Sequence, residues 1–450
     1  MENLGSGILV VSNNREQYPC PVAPVGALQM DAELKRLGEK TYFLDLCFTE
    51  DFEKLLIAKL KEFRPEVVVV SIRNIDNETF LKPKFYLEEV KEIIELCRHY
   101  SASKIVLGGI GFTVNPKEIF SYLNADYGVT GSNFEALRLL IRCIKKGKEG
   151  IKDIKQINGI LFWEGGEPRF NEAILKNIQC MRFDWNYILQ TCDPKYYSFK
   201  RDNSHPPVFG LRTKTGCAFK CIHCTIPRIE GNDIRYVPVK DIIETLKLMV
   251  TKFGISRLFI TDNVFNYPYE QAINLCREIC NQNINIKWTC YMHPKTIDRE
   301  LIKTMVKAGC ESVQFGIDTA SDKLLKKWKK GFCSKDLIRA ARICNEENLR
   351  PFYSLTFGGW QETPETIEES LEILKEAKAG FVWGAYGVRV YPDTELADLV
   401  YENGIFNKSD NLLYPKFYLS PHIEKTGLEV IEKFKKNNPQ MTVKVNAGDS

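Results

Sequence analysis

The first 145 residues alternate between short apolar runs and longer segments with helical periodicity. Between the runs, apolar residues recur every three or four positions, and Gly38 and Pro65 stand where two of these helices should end. Strands that are apolar throughout and alternate with helices predict a parallel, doubly wound α/β sheet that is buried on both faces. The predicted strands are Ile8–Ser12, Thr41–Asp45, Val67–Ser71, Lys104–Leu107 and Tyr127–Val129.

The carboxyl ends of these strands are the place where such a sheet binds ligands. Glycines at this edge allow the backbone to approach a large flat ligand closely. A glycine pair after a strand is, by itself, equally consistent with a structural turn. The candidate residues at this edge are Ser71, Arg73, Asn74, Gly108, Gly109, Gly111, Phe112 and Gly131.

The second half of the chain repeats the same alternation. Residues 207–405 contain six strand–helix units, and residues 146–206 before them predict a linker with a hairpin around Gly165-Gly166. Residues 406–450 are mixed in composition and are expected to cap the mouth of this second domain. The six predicted strands are Val208–Thr213, Arg257–Thr261, Ile286–Cys290, Ser312–Gly316, Pro351–Phe357 and Val382–Val390.

Composition indicates an ordinary soluble protein. The 450 residues are 44% hydrophobic and 27% charged, and a net charge of +4 gives no reason to expect a nucleic-acid partner. No apolar run approaches the ~18 residues of a membrane span, and no secretory signal is evident, so a cytoplasmic location without a membrane partner is expected. The basic run Lys326–Lys330 is interpreted as a solvated helix end.

Three of the 15 cysteines, Cys217, Cys221 and Cys224, fall within eight residues in a C-x3-C-x2-C pattern. Thiolates are soft ligands suited to iron–sulfur clusters, and three of them leave one iron of a [4Fe–4S] cluster open to a small molecule. A zinc site or three unrelated buried cysteines are the alternatives. His223 lies too close between two cysteines to complete a zinc site easily. The other twelve cysteines are expected to be reduced and mostly buried.

The C-x3-C-x2-C motif with Phe219 in its first spacer resembles the signature of the radical SAM superfamily. The resemblance implies that Cys217, Cys221 and Cys224 are catalytic metal ligands and that the open iron binds S-adenosylmethionine. It also implies an electron donor such as flavodoxin or ferredoxin and cleavage of the cofactor to a 5′-deoxyadenosyl radical. Many members have Tyr or Phe immediately before the third cysteine, where this chain has His223. This difference affects the contact with the adenine of the cofactor that the resemblance implies near this residue, and it does not affect the cluster itself.

The six-unit domain resembles the partial (β/α)6 barrel of that superfamily. The resemblance implies S-adenosylmethionine contacts from Asp262, Asp318, Ser354 and Arg389 at strand ends, beside Phe219 and His223 of the loop. Each of these has an alternative role in hydrogen bonding within the barrel. The segment Gly165–Pro168 has the sequence of a family motif that binds the cofactor. In the family this motif follows the cluster loop, whereas here it precedes the cysteines, so it is interpreted as a turn.

The order of elements in residues 1–145 resembles the cobalamin-binding domain that precedes many radical SAM barrels. Pro21–Leu28 and the Gly108-Gly109 pair carry this resemblance, whereas the turn Gly131–Glu135 departs from it. Asp45–Glu50 lacks the histidine that methionine-synthase-like domains supply to cobalt, which implies base-off cobalamin. Arg73 is assigned the role of keeping the lower axial site empty, and a surface salt bridge is its alternative.

These features together resemble the cobalamin-dependent, class B radical SAM methyltransferases. The resemblance implies methyl transfer from S-adenosylmethionine, through cobalamin, to a poorly nucleophilic carbon or phosphorus of a small molecule or peptide. An aromatic substrate such as an indole would fit aromatic side chains at the barrel strands, although such residues more often belong to the core. A ring-forming or rearranging enzyme and a non-catalytic cobalamin or redox sensor are the alternatives. The aromatic residues are Trp288, Trp360, Trp383, Tyr386 and Tyr391.

Overall fold

The computed structural model describes residues 7–17, 20–147, 150–174, 182–197 and 208–446. The chain divides into two compact units. The first unit comprises Met1–Asn77 and Phe85–His205, and the second comprises Glu78–Lys84 and Pro206–Ser450.

The first unit contains a seven-stranded sheet in the order β2-β1-β3-β4-β5-β6-β7. Strands β1 to β5 pair in parallel, and β6 and β7 form an antiparallel hairpin on the β5 edge. The strands are β1 (Gly7–Ser12), β2 (Lys40–Asp45), β3 (Val67–Ser71), β4 (Lys104–Gly108), β5 (Tyr127–Val129), β6 (Ile160–Glu164) and β7 (Glu167–Asn171).

Helices cover this sheet, and among those in the described ranges α2, α6 and α8 begin at a side chain that caps them. Asp51 accepts a hydrogen bond from the Lys54 backbone N–H at the start of α2, and Asn133 does the same for Ala136 at the start of α6. The helices are α1 (Val25–Arg36), α2 (Phe52–Phe63), α3 (Leu87–Tyr100), α4 (Ile110–Val114), α5 (Pro116–Leu123), α6 (Phe134–Lys145), α7 (Ile151–Ile154) and α8 (Trp185–Thr191).

Central strand β3 is buried on both faces, as its continuous apolar run predicted. Val67, Val68, Val69 and Val70 are each no more than 1% exposed. The prediction of a parallel doubly wound sheet is therefore confirmed, and the predicted hairpin is present as two further strands of the same sheet.

The second unit contains a seven-stranded parallel sheet in the order β8-β11-β12-β13-β14-β15-β18. All six predicted barrel strands are present, and the tail adds the seventh. Its strands are β8 (Phe209–Leu211), β11 (Arg257–Ile260), β12 (Lys287–Met292), β13 (Cys310–Asp318), β14 (Arg350–Phe357), β15 (Phe381–Tyr386) and β18 (Thr442–Asn446).

Two small antiparallel pairs lie outside this sheet, namely β9 (Lys214–Thr215) with β10 (Arg235–Tyr236), and β16 (Val388–Arg389) with β17 (Phe417–Tyr418). The helices of this unit are α9 (Ile226–Ile229), α10 (Val239–Phe253), α11 (Tyr269–Asn281), α12 (Arg299–Lys307), α13 (Asp322–Lys327), α14 (Ser334–Glu346), α15 (Pro364–Glu376), α16 (Glu395–Glu402) and α17 (Gly427–Asn437). None of the helices in the described ranges is long and apolar enough to cross a membrane.

The barrel strands have one buried face and one partly open face. Side chains that alternate towards the helices, such as Phe315 and Tyr353, are at most 1% exposed. We call the other side the open face, where side chains of neighbouring strands lie next to one another. The open face is defined by Thr289, Tyr291, Gln314, Ser354 and Trp383.

Candidate functional site

The three-cysteine loop follows β9 at the carboxyl end of the barrel strands. Gly216, which precedes it, has φ +88°, and a Cβ there would lie 2.3 Å from the Asp233 carbonyl oxygen, so glycine is required. Within the loop, the Ile222 N–H donates to the Trp328 carbonyl (3.3 Å) and the Ile222 carbonyl accepts from the Leu396 N–H (2.8 Å). The loop is therefore tied to other parts of the second unit on both sides.

A buried carboxylate holds the start of the loop. Oε2 of Glu230 accepts hydrogen bonds from the Gly216 N–H (2.9 Å), from Asn263 Nδ2 (2.8 Å) and from Arg212 (2.6 Å). Glu230 is only 8% exposed. Three donors on one oxygen place Gly216 firmly, which preorganises Cys217 immediately after it.

The three thiols are half-buried and close enough to interact electrostatically. Burial raises the pKa of Cys217 and Cys221, and it raises the pKa of Cys224 to about 12. Thiols in such surroundings become thiolates when a metal binds them, because the metal displaces the proton.

These cysteines fit an iron–sulfur cluster better than a single zinc ion. Among the described residues, no three His, Cys, Asp or Glu side chains are gathered closely enough to hold one metal ion. A cubane spreads its thiolates over different irons, so its ligands stand further apart than those of zinc.

Asp318 brings the cluster loop and a strand end together. Its Oδ2 accepts from Lys330 Nζ (2.5 Å) and from His223 Nε2 (3.2 Å), and its Oδ1 accepts from the Thr356 hydroxyl (3.4 Å). The residue has φ +61° at an irregularity in the pairing of β13 with β14. Burial alone would raise the pKa of this carboxyl, but Lys330 and His223 outweigh it and hold the pKa well below its usual range.

Lys330 corrects one sequence-based interpretation. The run Lys326–Lys330 was predicted to be a solvated helix end, but Lys330 is 6% exposed and Trp328 is 2% exposed. The Lys330 ammonium also donates to the Gly316 carbonyl (3.0 Å). The tryptophan within the basic run was the available signal that one face of it is buried.

His293 is a second residue that sequence reasoning missed. Its ring stacks on Phe219 of the cluster loop, with centroids 3.9 Å apart and planes 10° apart. Its Nε2 donates to the Lys330 carbonyl (2.9 Å). Burial lowers the pKa of His293 to about 4, so the ring is neutral near pH 7. The predicted site residue Phe219 is thus positioned by a neutral aromatic partner.

Asp262 lies beneath the loop. The side chain is fully buried and accepts from the Thr213 N–H (2.7 Å), the Thr213 hydroxyl (2.5 Å) and the Lys214 N–H (3.0 Å). This geometry gives Asp262 a positioning role for the chain that leads into the loop and leaves its carboxylate without solvent access.

The other two predicted barrel residues lie in different surroundings. Ser354 is on the open face, where its hydroxyl accepts from Gln314 Nε2 (2.6 Å). Arg389 is 6% exposed and donates to the Val390 (2.5 Å) and Leu412 (3.0 Å) carbonyls. Its contact with the carboxylate of a cofactor stays a prediction.

In the first unit, the predicted glycines serve the chain's own packing. A Cβ on Gly109 would lie 2.3 Å from the Ile72 carbonyl oxygen, and one on Gly111 would lie 2.8 Å from the Arg73 backbone. Around Gly131, by contrast, no atom lies within 4 Å of an added Cβ. The two loops after β3 and β4 therefore touch each other, and this contact forms part of the predicted ligand edge.

The remaining candidates of this edge differ in exposure. Arg73 is exposed, Ser71 and Asn74 are half-buried, and Gly108 is buried. Phe112 is fully buried and its ring lies over Gly128, where a Cβ would be only 2.4 Å away. Phe112 is therefore a core residue of the first unit, and its ring is closed off from any ligand at the surface.

The aromatic side chains singled out in the barrel also separate into core and surface. Trp288 is 2% exposed, with its indole N–H donated to the Ala308 carbonyl (2.8 Å), and Tyr386 is 4% exposed. Trp360 packs against Tyr418, with ring centroids 5.1 Å apart. Trp383, on the open face, is 39% exposed.

Comparison with known proteins gives the following relatives. Residues 211–374 match the model of the Radical SAM superfamily. The chain is 23% identical over 449 residues to a tryptophan 2-C-methyltransferase of Streptomyces laurentii, an alignment that covers 88% of this chain and 74% of the relative. It is 26% identical over 305 residues to an uncharacterized methyltransferase of Pyrococcus horikoshii, covering 67% and 64%.

A third relative is the anaerobic magnesium-protoporphyrin IX monomethyl ester cyclase of Cereibacter sphaeroides, which is 22% identical over 356 residues. This alignment covers 77% of this chain and 55% of the cyclase. The chain thus spans less than two thirds of the length of the Pyrococcus and Cereibacter proteins.

Solved structures share the fold over nearly the whole chain. The methyltransferase TsrM from Kitasatospora setae, with cobalamin and a [4Fe–4S] cluster bound, has a TM-score of 0.80 at 23% identity and covers 95% of this chain and 90% of its own. The cobalamin-dependent radical enzyme OxsB has a TM-score of 0.71 at 17% identity, covering 97% and 67%. The prediction from the three cysteines is confirmed: this chain contains a radical SAM domain, within a fold that it shares with solved cobalamin-dependent radical SAM enzymes.

Proposed function

We propose that this protein is a cobalamin-dependent radical SAM methyltransferase that methylates a poorly nucleophilic carbon of a small aromatic molecule. The observation that carries the proposal is the loop of Cys217, Cys221 and Cys224, preorganised at the carboxyl ends of the barrel strands. A glycine-containing ligand edge on a doubly wound sheet in the same chain supplies the second cofactor site. TsrM, whose fold this chain shares, holds both cofactors.

The chain's own residues bind and orient the reacting groups. Cys217, Cys221 and Cys224 would hold the cluster, and Asp318, Ser354, Arg389, Phe219 and His223 would contact the S-adenosylmethionine that binds to it. When bound, the cofactors supply the methyl group and the electron chemistry of its transfer. An electron donor such as flavodoxin or ferredoxin in the cytoplasm serves the cluster, and neither nucleic acid nor a membrane takes part.

Cobalamin is assigned to the ligand edge of the first unit. Arg73 is exposed there, beside Asn74, and its backbone packs against Gly111. The segment 45–50 offers cobalt no histidine. A guanidinium cannot ligate cobalt because it stays protonated, so Arg73 at this edge would leave the cobalt without a protein ligand on its side.

An aromatic substrate is supported by the open face of the barrel. Trp383 and Tyr291 are 39% and 37% exposed there, whereas Tyr386 and Trp288 on the same two strands, β15 and β12, are 4% and 2% exposed. The amide of Gln314 and the hydroxyl of Ser354 lie among them and can orient a polar group of the substrate. Tryptophan is the substrate bound in a TsrM structure, so an indole is the first substrate to test.

The test is anaerobic turnover with methyl-labelled S-adenosylmethionine. Protein reconstituted with iron, sulfide and cobalamin is incubated with tryptophan and other indoles, and products are followed by mass spectrometry. We expect a labelled indole and S-adenosylhomocysteine. Trp383→Ala should raise KM roughly 2- to 10-fold, because stacking of aromatic rings contributes about 0.5–1.5 kcal/mol. Tyr236→Ala, at an exposed aromatic residue of β10, is the control.

Two outcomes would contradict the proposal. Formation of 5′-deoxyadenosine with a rearranged or cyclised product and no methyl transfer would favour the second candidate, a ring-forming enzyme, which the Cereibacter relative suggests. A reconstituted protein that binds both cofactors but never consumes S-adenosylmethionine would indicate a sensor.

A further inference from the structure

Lys330 places a positive charge in the interior of the second unit. It lies between Lys329 (φ +57°) and Gly331 (φ +79°), in the loop after α13. Two left-handed residues turn the side chain inward, and its Nζ is bonded to Asp318 and to the Gly316 carbonyl. Only 8% of the side chain is exposed, so solvent screens this charge weakly.

The same ammonium group is connected to the cysteine loop through Asp318, whose Oδ2 accepts from Lys330 Nζ and from Nε2 of His223 (3.2 Å), the residue between Cys221 and Cys224. Burial raises the pKa of Cys221, and the charge of Lys330 opposes that rise. Lys330 acts in the same direction on Cys217 and Cys224, whereas Asp318 raises the pKa of Cys221 further. A cation and an anion therefore act on the cysteines with opposite signs.

The loop that carries Lys330 is attached directly to the cluster loop. The Ile222 N–H donates to the Trp328 carbonyl (3.3 Å), two residues before Lys330. On the other side, His293 donates to the Lys330 carbonyl and stacks on Phe219. The ammonium group is thus fixed in place relative to the cysteines by contacts on both sides.

We propose that Lys330 is a positioning residue whose buried ammonium group sets the reduction potential of the cluster, with Asp318 partly offsetting its charge. The inference rests on the proposed function in that Cys217, Cys221 and Cys224 hold a [4Fe–4S] cluster. Reduction adds one negative charge to the cluster, and a nearby cation in a weakly polarisable interior stabilises that charge. Lys330 therefore makes the cluster easier to reduce.

The test is an anaerobic redox titration monitored by EPR, without S-adenosylmethionine, so that cofactor binding does not contribute. Lys330→Met should move the midpoint potential to a more negative value. Asp318→Asn should move it to a more positive value, because the ammonium group is then left without its anion. Lys330→Arg should return it towards the wild-type value. Lys329→Met, at the exposed neighbour that pairs with Glu395, should leave it unchanged.

Opposite shifts of the midpoint potential distinguish this role from a structural one. If the ion pair only stabilised the fold, its loss would move the potential of both variants in the same direction. A Lys330→Met protein with full iron content and an unchanged potential overturns the proposal, and so do shifts of the same sign. If Lys330→Met fails to load iron, the sign of the shift in Asp318→Asn decides. Wild-type protein that holds no iron and sulfide would refute the proposed function instead.

Discussion

Three carboxyl groups near the barrel's strand ends, of which Asp262 and Glu362 are buried and Asp318 is half-buried, show how single residues organise this site. Asp262 is satisfied by Thr213 and the Lys214 N–H, Asp318 by Lys330 and His223, and Glu362 by backbone N–H groups. Each has different donors because each sits in a different loop. The charge of a buried carboxylate thus depends on which donors the fold brings to it.

The sequence predicted some of these residues and missed others for one physical reason. Asp262 and Asp318 directly follow or end apolar strands, so local pattern places them at the barrel mouth. Glu230, His293 and Lys330 lie in loops. Gly216, which donates to Glu230, is 14 positions away from it in the sequence, and Lys330 is 37 positions away from His293. Contacts between residues so far apart in the sequence leave no periodic pattern in either segment.

Glu362 should make stability depend on pH. Burial raises the pKa of its carboxyl to about 8, and hydrogen bonds from Gly358 and Gly359 only partly oppose this. The unfolded carboxyl has an ordinary pKa near 4.5, so between these values the folded state alone holds the proton. The contribution of this carboxyl to the free energy of unfolding is fully present below about pH 4.5. It decreases as pH rises to 8, by up to about 1.4 kcal/mol per pH unit.

The measurement compares the thermal unfolding of wild type with that of Glu362→Gln from pH 5 to pH 8.5. The Tm of wild type should fall relative to the variant as pH rises, because glutamine does not titrate. Glu368→Gln, at an exposed position on α15, provides the control. Parallel Tm curves for wild type and Glu362→Gln would contradict the assigned pKa.

At the scale of elements, the apolar runs were sufficient to predict the strands but not to predict which strands pair with each other. Runs such as Val67–Val70 are strands because they are buried on both faces. The attachment of the β6–β7 hairpin to β5, and of β18 to β15, could not be predicted, since pairing partners leave no mark in a strand's own pattern. The burial of the Phe112 ring could not be predicted for the same reason: its partner Gly128 is on another strand.

The contact between the loops after β3 and β4 gives an element-scale prediction. Gly111→Ala should destabilise the first unit by roughly 1–3 kcal/mol, since its Cβ would meet the Arg73 backbone at 2.8 Å and overpacking costs about that much. Urea unfolding measures the effect. Gly26→Ala in α1 is the matched control, because no atom lies within 4 Å of its added Cβ. Equal stability of the two variants would show that the loops can move apart without cost.

At the scale of the whole molecule, the two proposed cofactor sites belong to separate compact units. The fold class was predictable because alternating strands and helices constrain the sheet type, and because the cysteine spacing indicated the second domain. The hydrogen bonds described above for the cluster loop, from Glu230, Trp328 and Leu396, come from the second unit.

This separation predicts that the cluster forms without cobalamin. Protein reconstituted with iron and sulfide alone should show full iron content and a reduced-cluster EPR signal, yet no methylated product. Added cobalamin should restore methyl transfer. The converse control is the triple variant Cys217→Ala, Cys221→Ala, Cys224→Ala, which should bind cobalamin, as its visible spectrum reports, but hold no cluster. Loss of iron from cobalamin-free protein would contradict the independence of the two sites.

Strand β18 has a consequence for the order in which the barrel is assembled. It pairs with β15, yet residues 442–446 are synthesised after every other strand of that sheet. While the ribosome is still adding the intervening segment, β15 has an unsatisfied row of backbone N–H and C=O groups along its outer side. The edge of β15 is therefore open until β18 pairs with it, and during that interval a neighbouring nascent chain can pair with β15 instead.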